Sequence, residues 1–355
     1  MSMVGARTLL PTGLGYGTKA RSLIGTQECF PLAGLDDISF SHVSVWGGAE
    51  EDLRTLTAAQ CAEEFPEHFA KLVHKRPSFA GLQRPRGNIM GILNITPDSF
   101  SDGGLHEDLD RALLSLQNMH EAGVDVVDIG GESTRPGAVC LDPQEEWGRI
   151  HKVVEAAVAF GMCVSVDTRK ADVMERALDA GAHIINDVSA LTFDKRALDV
   201  VASSDAHVVL MHHRGTPQTM QSLTSYIDII PQMLAFFQER LGVCQSGGID
   251  MHRVMIDPGL GFAKTRAHNY AIMSGLAAFH GLGVPVLLGA SRKSMFQSLP
   301  FAHEMNGRLP ASLSACHEGL RQGMHMIRVH DWQESLQVRA MLDTMDAMNP
   351  WGVHT

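Results

Sequence analysis

The residues of this sequence that are best suited to chemistry stand directly after short, apolar, β-branched runs. Carboxylates and amides form one set, which comprises Asn94, Asp167, Asn186 and Asp257. Their oxygens suit the amino and lactam N–H groups of a flat heterocycle. Cationic donors form a second set, which comprises Arg135, Lys293, Arg328 and His330. Such donors suit carboxylate or phosphate oxygens. The two sets together predict a site for a polar heteroaromatic group with an anionic group beside it.

Two further features favour an anion at this site. Asn94 offers a hard oxygen of the type that Mg²⁺ accepts when phosphates and waters complete its shell. Residues Ser291 to Ser294 are expected to begin a helix, and the free N–H groups of a helix start favour negative charge. We therefore predict a magnesium-assisted anionic leaving group at the rim.

Each of these residues also has a purely structural explanation. Asp257 precedes Pro-Gly and could be a turn residue, and Asp167 could cap a helix. Arg328 and His330 could be a surface cation and a partly buried histidine. The functional interpretation gains weight because so many polar groups follow strands. Removing that many charges from water is costly unless they bind something.

The elements that would position these residues alternate between strands and helices from Ile89 onward, which is typical of βα units. The predicted strands are Ile89–Ile95, Val124–Ile129, Cys163–Val166, His183–Asp187, His207–Met211, Val254–Ile256, Val284–Leu288 and Met326–Val329. The predicted helices are Leu109–Ala122, Glu145–Phe160, Ala171–Ala180, Tyr226–Val243, Ala267–Phe279 and Glu334–Met345. This order predicts an α/β fold, a (β/α)8 TIM barrel whose active site lies at the carboxyl ends of its strands. An open doubly wound sheet is the rival, but no G-x-G-x-x-G follows the first strand.

Residues 1–88 are predicted to be an N-terminal extension of unknown role, and residues 89–355 the barrel domain. A strand is expected between Asp36 and Val45, and a helix interrupted at Pro66 between Ala58 and Val73. Residues 77–88 resemble a linker in composition. We assign no chemistry to the extension.

Composition limits the class of protein. The 355 residues carry a net charge of −11 without a Lys/Arg-rich run, which argues against nucleic-acid binding. The six cysteines are scattered, which favours reduced thiols in a cytoplasmic protein. No apolar stretch reaches the roughly 18 residues of a membrane span. Small-molecule partners are therefore expected, with neither nucleic acid nor membrane.

Eight sequence blocks resemble those of the dihydropteroate synthases, which belong to the pterin-binding enzymes. The blocks, in chain order, are MGILNITPDSFSDGG (90–104), DIGGESTRPGA (128–138), SVDTRKADV (165–173), IINDVSAL (184–191), LMHHRGTPQTMQ (210–221), IDPGLGFAKTRAHN (256–269), GASRKSM (289–295) and RVHD (328–331). The resemblance implies that 7,8-dihydropterin-6-ylmethyl diphosphate is joined to p-aminobenzoate in folate biosynthesis, with release of diphosphate. It also implies sulfonamide inhibition and a homodimer, for which residues 310–323 are a candidate surface.

The resemblance assigns roles position by position. Its pterin site corresponds to Asp167, Asn186, Met211, Asp257, Phe262, Gly289 and Lys293. Its diphosphate site corresponds to Asn94, Arg135, Arg328 and His330, with Asn94 as the Mg²⁺ ligand. Its p-aminobenzoate site corresponds to Phe100, Thr134, Pro136, Lys293 and Ser294. The residues expected to be catalytic are Asp167, Lys293, Arg328 and His330, and Asp167 would stabilise the pterin-methylene cation of an SN1-like alkyl transfer.

Two alternatives remain at this point. A corrinoid methyltransferase that uses methyltetrahydrofolate would share the barrel and the acidic pterin pocket, but it would not need the p-aminobenzoate loops. A catalytically silent pterin-binding paralogue would be expected to have lost Asn94, Lys293, Arg328 or His330, and all four are present.

Overall fold

The computed structural model describes residues 7–26, 28–47, 53–95, 105–133, 140–216 and 219–348. Before the barrel, the described chain forms two small antiparallel sheets of three strands each. The strands are β1 (Thr8–Thr12), β2 (Gly15–Tyr16), β3 (Phe30–Pro31), β4 (Ile38–Phe40), β5 (His42–Trp46) and β6 (Arg54–Thr57). The helices are α1 (Gly17–Leu23), α2 (Ala58–Glu64) and α3 (Pro66–Val73).

Two predictions for this extension are refined by the structure. The strand expected between Asp36 and Val45 is divided at Ser41, so β4 and β5 belong to different sheets. Pro66 splits the expected helix into α2 and α3. Proline has no N–H for an interior helical bond, but it suits the first position of a new helix.

Eight parallel strands follow along the chain, and most of them are preceded by a helix. They are β7 (Asn88–Asn94), β8 (Val126–Gly130), β9 (Val164–Asp167), β10 (Ile184–Asp187), β11 (His207–Met211), β12 (Val254–Asp257), β13 (Leu287–Leu288) and β14 (Met326–Val329). The helices around them are α4 (Leu105–Glu121), α5 (Pro143–Ala159), α6 (Ala171–Asp179), α7 (Ala197–Ala202), α8 (Ile229–Ser246), α9 (Arg266–Ser274), α10 (Leu309–Arg321) and α11 (Trp332–Ala347). Helices α7 and α10 were not predicted from the sequence.

The strands close on themselves. Their order runs from β12 through β7 to β14 and β13, and a single bridge between Ile256 and Val286 joins β12 to β13. The amide of Ile256 also donates to the carbonyl oxygen of Pro285 at 3.0 Å. The predicted (β/α)8 barrel is therefore confirmed, with β13 shorter than expected.

Apolar packing separates the inside of the barrel from its surroundings. One buried cluster lies between the strands and the helices, and a separate one contains Met90, Val126, Ile184, Val209, Met255, Leu287, Met326 and Phe79. Phe79 comes from the segment before β7 and packs edge-on against His207, the first residue of β11. This ring therefore covers the end of the barrel where the strands begin.

Polar contacts fasten the extension to the same end. The guanidinium of Arg76 donates to the carbonyl oxygen of His280 at 2.7 Å, and Arg86 pairs with Asp37 at 2.7 Å and with Asp346 at 3.2 Å. The extension has its own apolar core, which Ala277 of the barrel joins. Burial of apolar area together with these charged contacts holds the two parts together.

Two buried histidines lie near Arg76. The amide of Val286 donates to Nδ1 of His325, so the proton of that ring is on Nε2. The Nε2 of His280 lies 2.9 Å from the carbonyl oxygen of Gln322, so that nitrogen is the donor. Burial lowers the pKa of His280 to about 4 and the pKa of His325 well below its usual range. Both rings are therefore neutral in the folded protein.

Candidate active site

The predicted polar residues gather at the carboxyl ends of the strands. The strand register aligns Asn94 with Gly130, Gly130 with Asp167, and Asp167 with Asn186, so that four neighbouring strands contribute to one row. A Cβ atom added to Gly130 would lie 3.3 Å from Oδ1 of Asn94 and 3.5 Å from Cβ of Asp167. Glycine thus leaves open space between these two side chains.

Arg328 bridges two carboxylates at the centre of this mouth. Its Nε donates to Asp128 at 2.6 Å, and one terminal nitrogen donates to Asp167 at 2.8 Å. Asp128 is completely buried and also accepts from Oγ of Ser165 at 2.6 Å and from Nδ2 of Asn186 at 3.2 Å. A single carboxylate therefore orients both Arg328 and Asn186.

The carboxyl group of Asp167 has an unusual pKa beside Arg328. Burial raises the pKa of Asp167 to about 7, although the Arg328 guanidinium opposes this shift, and the negative charge of Asp128 adds to the increase. Burial also tends to lower the pKa of Arg328, but Asp128 and Asp167 raise it overall, so the guanidinium stays charged. Near pH 7 Asp167 therefore titrates between its neutral and charged forms, and a positive charge that develops on a heterocycle beside it favours the charged form.

Asp257 and Lys293 lie on the other side of the mouth. Asp257 accepts from the amide of Gly259 at 2.8 Å, and a Cβ atom added to Gly289 would lie 3.5 Å from its Oδ2. The ammonium group of Lys293 lies 4.5 Å from the ring centroid of Phe262, within the range of a cation–π contact. Burial raises the pKa of Asp257 overall, although the hydrogen bond from Gly259 and the nearby charge of Lys293 oppose the increase.

A buried lysine that the sequence analysis did not single out fixes the loop after β12. The ammonium of Lys264 donates to the carbonyl oxygens of Gly259 at 2.9 Å and Phe262 at 3.0 Å, and it lies 2.9 Å from Nδ1 of His212. Burial lowers the pKa of Lys264 to about 7 and also lowers the pKa of His212. Lys264 therefore positions Phe262 from behind, and His212 belongs to the same buried structural contact.

Gly259 shows how closely this loop approaches its neighbour. Its φ is +66°, and a Cβ atom there would lie only 2.3 Å from the carbonyl oxygen of His212. Only glycine fits such an approach.

His330 differs from its expected role as a cationic donor. Its ring Nδ1 and its backbone amide both lie 3.1 Å from Oγ of Ser291. Burial and the charges of Arg328, Arg292 and Lys293 lower the pKa of His330 to about 3. In the free protein the imidazole is therefore neutral and can act as a hydrogen-bonding group.

The helix expected to begin at Ser291 is also different in the structure. Arg292 has a φ of +55° and its side chain pairs with Asp331, so the chain turns sharply here. A short 3-10 helix follows at Ser294–Ser298, and Ser294 is exposed. Five residues carry little helix dipole, so the anion-binding argument rests on the side chains rather than on the helix start.

Four predicted residues, Phe100, Thr134, Arg135 and Pro136, lie outside the described residues. Both sides of the segment 134–139 are described, however. Glu132 accepts from Nζ of Lys170 at 2.6 Å and from the amide of Leu141 at 2.7 Å, and Lys170 is also paired with Glu146. The side chain of Glu132 therefore connects the buried ion pair with Lys170 to the backbone at Leu141.

Asp128, Ser165 and Glu132 complete the set of residues that sequence reasoning missed, and Ser291 was expected only as part of a helix start. Asp128 and Glu132 stand in the conspicuous block after the second strand, so the signal was present. Their partners are distant in sequence: Arg328 lies 200 residues from Asp128. Local patterns cannot identify such pairs.

The family model of pterin binding enzymes matches residues 90–330. Dihydropteroate synthase of Escherichia coli K12 is 42% identical over 257 residues, which cover 72% of this chain and 90% of that protein. A Yersinia pestis dihydropteroate synthase structure in complex with a sulfonamide drug superposes with a TM-score of 0.72 at 41% identity, covering 77% of this chain and 99% of that one. A Xanthomonas albilineans dihydropteroate synthase structure with 4-aminobenzoic acid gives a TM-score of 0.70 at 39% identity, covering 74% and 94%.

The chain belongs to the pterin-binding enzyme family. Within that family its similarity is to dihydropteroate synthases, so its class is that of a transferase of folate biosynthesis. The predicted family and enzyme class are therefore confirmed, and neither alternative is favoured. In the part of the chain that the structure describes, no helix is long and apolar enough to cross a membrane.

Proposed function

We propose that the protein joins 7,8-dihydropterin-6-ylmethyl diphosphate to p-aminobenzoate through the residues gathered at the barrel mouth. The observation that carries this proposal is the position of Arg328 between Asp128 and Asp167. This position places a fixed guanidinium beside a carboxylate, at the point where diphosphate would leave and the pterin-methylene cation would form. The complex of the Xanthomonas relative with 4-aminobenzoic acid supports the second substrate.

In this mechanism the pterin ring lies against Asn186, Asp257 and Lys293, with Met211, Phe262 and Gly289 as its apolar surroundings. Arg328 and His330 hold the diphosphate, together with Arg135. The bond between the methylene carbon and the diphosphate oxygen breaks first. Asp167 stabilises the positive charge that the pterin ring then shares. The amine of p-aminobenzoate forms the new C–N bond and releases one proton.

The p-aminobenzoate site in this proposal comprises Lys293 and Ser294 with Phe100, Thr134 and Pro136. In this proposal both substrates share Lys293, because its ammonium lies 4.5 Å from the ring centroid of Phe262 and its charge also acts on Asp257. A shared cation can attract the carboxylate of the second substrate and the ring oxygen of the first. Sulfonamides should compete at this site, as the drug complex of the Yersinia relative suggests.

Mg²⁺ is the cofactor we propose, with Asn94 as its protein ligand. Among the described residues there is no group of three or more His, Cys, Asp or Glu that could hold a metal ion. A single amide oxygen beside the open space at Gly130 fits an ion that takes its other ligands from diphosphate and water. When bound, Mg²⁺ neutralises charge on the leaving diphosphate.

A coupled diphosphate-release assay tests the proposal. Diphosphate should appear rapidly when the pterin diphosphate, p-aminobenzoate and Mg²⁺ are all present. Omission of either p-aminobenzoate or Mg²⁺ should reduce the rate at least about tenfold. A rate independent of p-aminobenzoate, or release of no diphosphate from the complete mixture, would contradict the proposal.

We also propose that the protein acts as a homodimer in the cytoplasm. Of the candidate surface 310–323, the side at Pro310, Ser314 and Glu318 is exposed. Its end is covered: Tyr16 of the extension lies beneath Arg321, and Leu32 and Leu35 lie beside Gly323. The interface would therefore use the start of α10 and the preceding loop.

That loop offers an apolar contact for a second copy. Phe301 is 92% exposed and Met305 is 41% exposed, just before α10. Phe301→Asp should convert a dimer into a monomer in light scattering after size-exclusion chromatography. Ile227→Asp is the matched control because Ile227 is equally exposed in another loop. A wild-type monomer, or a dimer that survives Phe301→Asp, would count against this interface.

A further inference from the structure

A cavity of about 160 Å³ lies beside the proposed pterin pocket. Its walls come from the loops that follow β9, β10, β11 and β12. Met211 and Phe262 line both the cavity and the proposed pterin pocket. Asp167, Asn186 and Asp257 are not among the described residues that line the cavity, so it is a neighbouring space rather than the floor of that pocket.

The described polar groups of the cavity carry no net charge to attract an ion. Arg169 lines the cavity, but its guanidinium is paired with Glu132 at 2.9 Å and stacks 4.1 Å above the ring of Phe193. His213 also lines it, and burial and nearby Lys264 and Arg169 lower the pKa of His213 to about 4. The imidazole is therefore neutral at pH 7. Its Nδ1 has no hydrogen-bond partner among the described residues.

The remaining walls are suited to a flat ring. Phe193 and Phe262 offer aromatic surfaces, and Met211 and Met220 offer flexible thioethers. A cavity of about 150 Å³ with apolar walls can hold one benzene molecule. The space is therefore large enough for one six-membered ring.

We infer that this cavity is an accessory binding site for a small, neutral, monocyclic aromatic molecule with one hydrogen-bonding group. Such a ligand would lie between the aromatic walls, and its polar group would face the hydroxyl and imidazole groups of the lining. Its position next to the pterin rests on the proposed function, whereas the cavity itself does not.

Phenol is the probe, and isothermal titration calorimetry is the measurement. Thr192→Trp and Thr216→Trp each fill the cavity from a different loop, and both threonines line it. Thr344→Trp is the matched control, since Thr344 lies exposed on α11 and is not among the described residues that line the cavity. Circular dichroism establishes that each variant is folded. The wild type and the control should bind phenol with the same affinity, and the two filling variants should weaken it at least about tenfold.

A second titration separates this site from the active site. Dihydropteroate is added to saturation first, so that the proposed pterin and p-aminobenzoate sites are both occupied. The affinity for phenol should then change by less than about threefold. The inference would be overturned if phenol did not bind to the wild type, or if it bound to both filling variants with the wild-type affinity. Complete displacement of phenol by dihydropteroate would also overturn it. Failure of dihydropteroate to bind would instead count against the proposed function. In that case the filling variants would still show whether phenol binds in the cavity.

Discussion

Each end of the barrel carries a half-buried arginine paired with aspartate, and the two pairs differ in their surroundings. At the carboxyl ends, Arg328 faces both Asp128 and Asp167. At the amino ends, Arg339 pairs with Asp125, and that carboxylate also accepts from the backbone amide of Ile89 at 2.8 Å. The first arginine is shared between two carboxyl groups, whereas the second is paired with a carboxylate that is tied to a strand.

The difference separates a binding function from a structural one. Asp125 and Arg339 connect the start of β7 to α11, so their charges are used within the fold. Asp128 takes its partners from the side chains of Arg328, Ser165 and Asn186, two of which we assign to substrate binding. Equivalent changes at the two ends should therefore affect different quantities.

The largest effect is expected from Arg328→Gln. It leaves two buried carboxylates without their cation, at a cost of about 4 kcal/mol. If that cost falls on the transition state, kcat/KM should fall about a thousandfold. Arg339→Gln should lower the free energy of unfolding in urea but keep kcat/KM within about threefold. Equal losses of activity in the two variants would remove the distinction between the ends.

Asp167→Asn should have the next largest effect. The amide cannot stabilise a pterin cation as a carboxylate does, so kcat should fall about a hundredfold in steady-state assays. Asp125→Asn makes the same change in the other pair and should reduce thermal stability instead. Turnover near that of the wild type in Asp167→Asn would contradict the role assigned to this carboxylate.

Asp128→Asn tests whether the buried carboxylate positions Arg328 and Asn186. We expect kcat to fall about thirtyfold, with KM for p-aminobenzoate changed less than about threefold. Asp187→Asn is the matched control. Asp187 is equally buried at the end of β10, which β9 separates from β8, but it accepts from the amides of Ser189 and Leu191. If both variants lose stability and activity alike, Asp128 has only a structural role.

The smallest effect concerns pH at the amino ends. His280 is neutral in the fold with a pKa of about 4, whereas an unfolded histidine titrates near pH 6.5. The unfolded state therefore binds more protons in acid. This contribution to stability is complete above about pH 6.5 and is lost as the pH falls toward about 4. His280→Gln should reduce the loss between pH 7 and pH 5 by about 2 kcal/mol in urea unfolding. His303→Gln, at an exposed position, should leave the loss unchanged.

Most of the barrel could be predicted because its strands are short β-branched runs bounded by polar residues. The strand His207–Met211 and the strand Met326–Val329 match the prediction at both ends. The predicted strand Val284–Leu288 shortens to Leu287–Leu288, since Val286 contributes only a bridge to β12. Helix α7 has only six residues, too few for a clear helical period.

The sequence predicted which residue types form the site, but not the hydrogen bonds and ion pairs between them. The sequence placed Asp167, Asn186 and Arg328 at strand ends, and the structure brings them together. It could not show that Asp128 joins them, or that Arg292 adopts a left-handed conformation and shortens the expected helix at Ser294. Burial and the neighbouring cations together make His330 neutral, and neither can be inferred from the residue type.

The closure of the barrel between β12 and β13 has a consequence for its dynamics. One bridge, between Ile256 and Val286, holds this seam, and Asp257 and Gly289 stand on its two sides. Few ladder bonds mean that the seam can open locally at a free energy well below that of global unfolding. A pterin that contacts both sides would act as a cross-link, so the amides of Ile256 and Met326 should exchange their hydrogens for deuterium more slowly once it binds. The substrate would then complete the barrel as well as react within it.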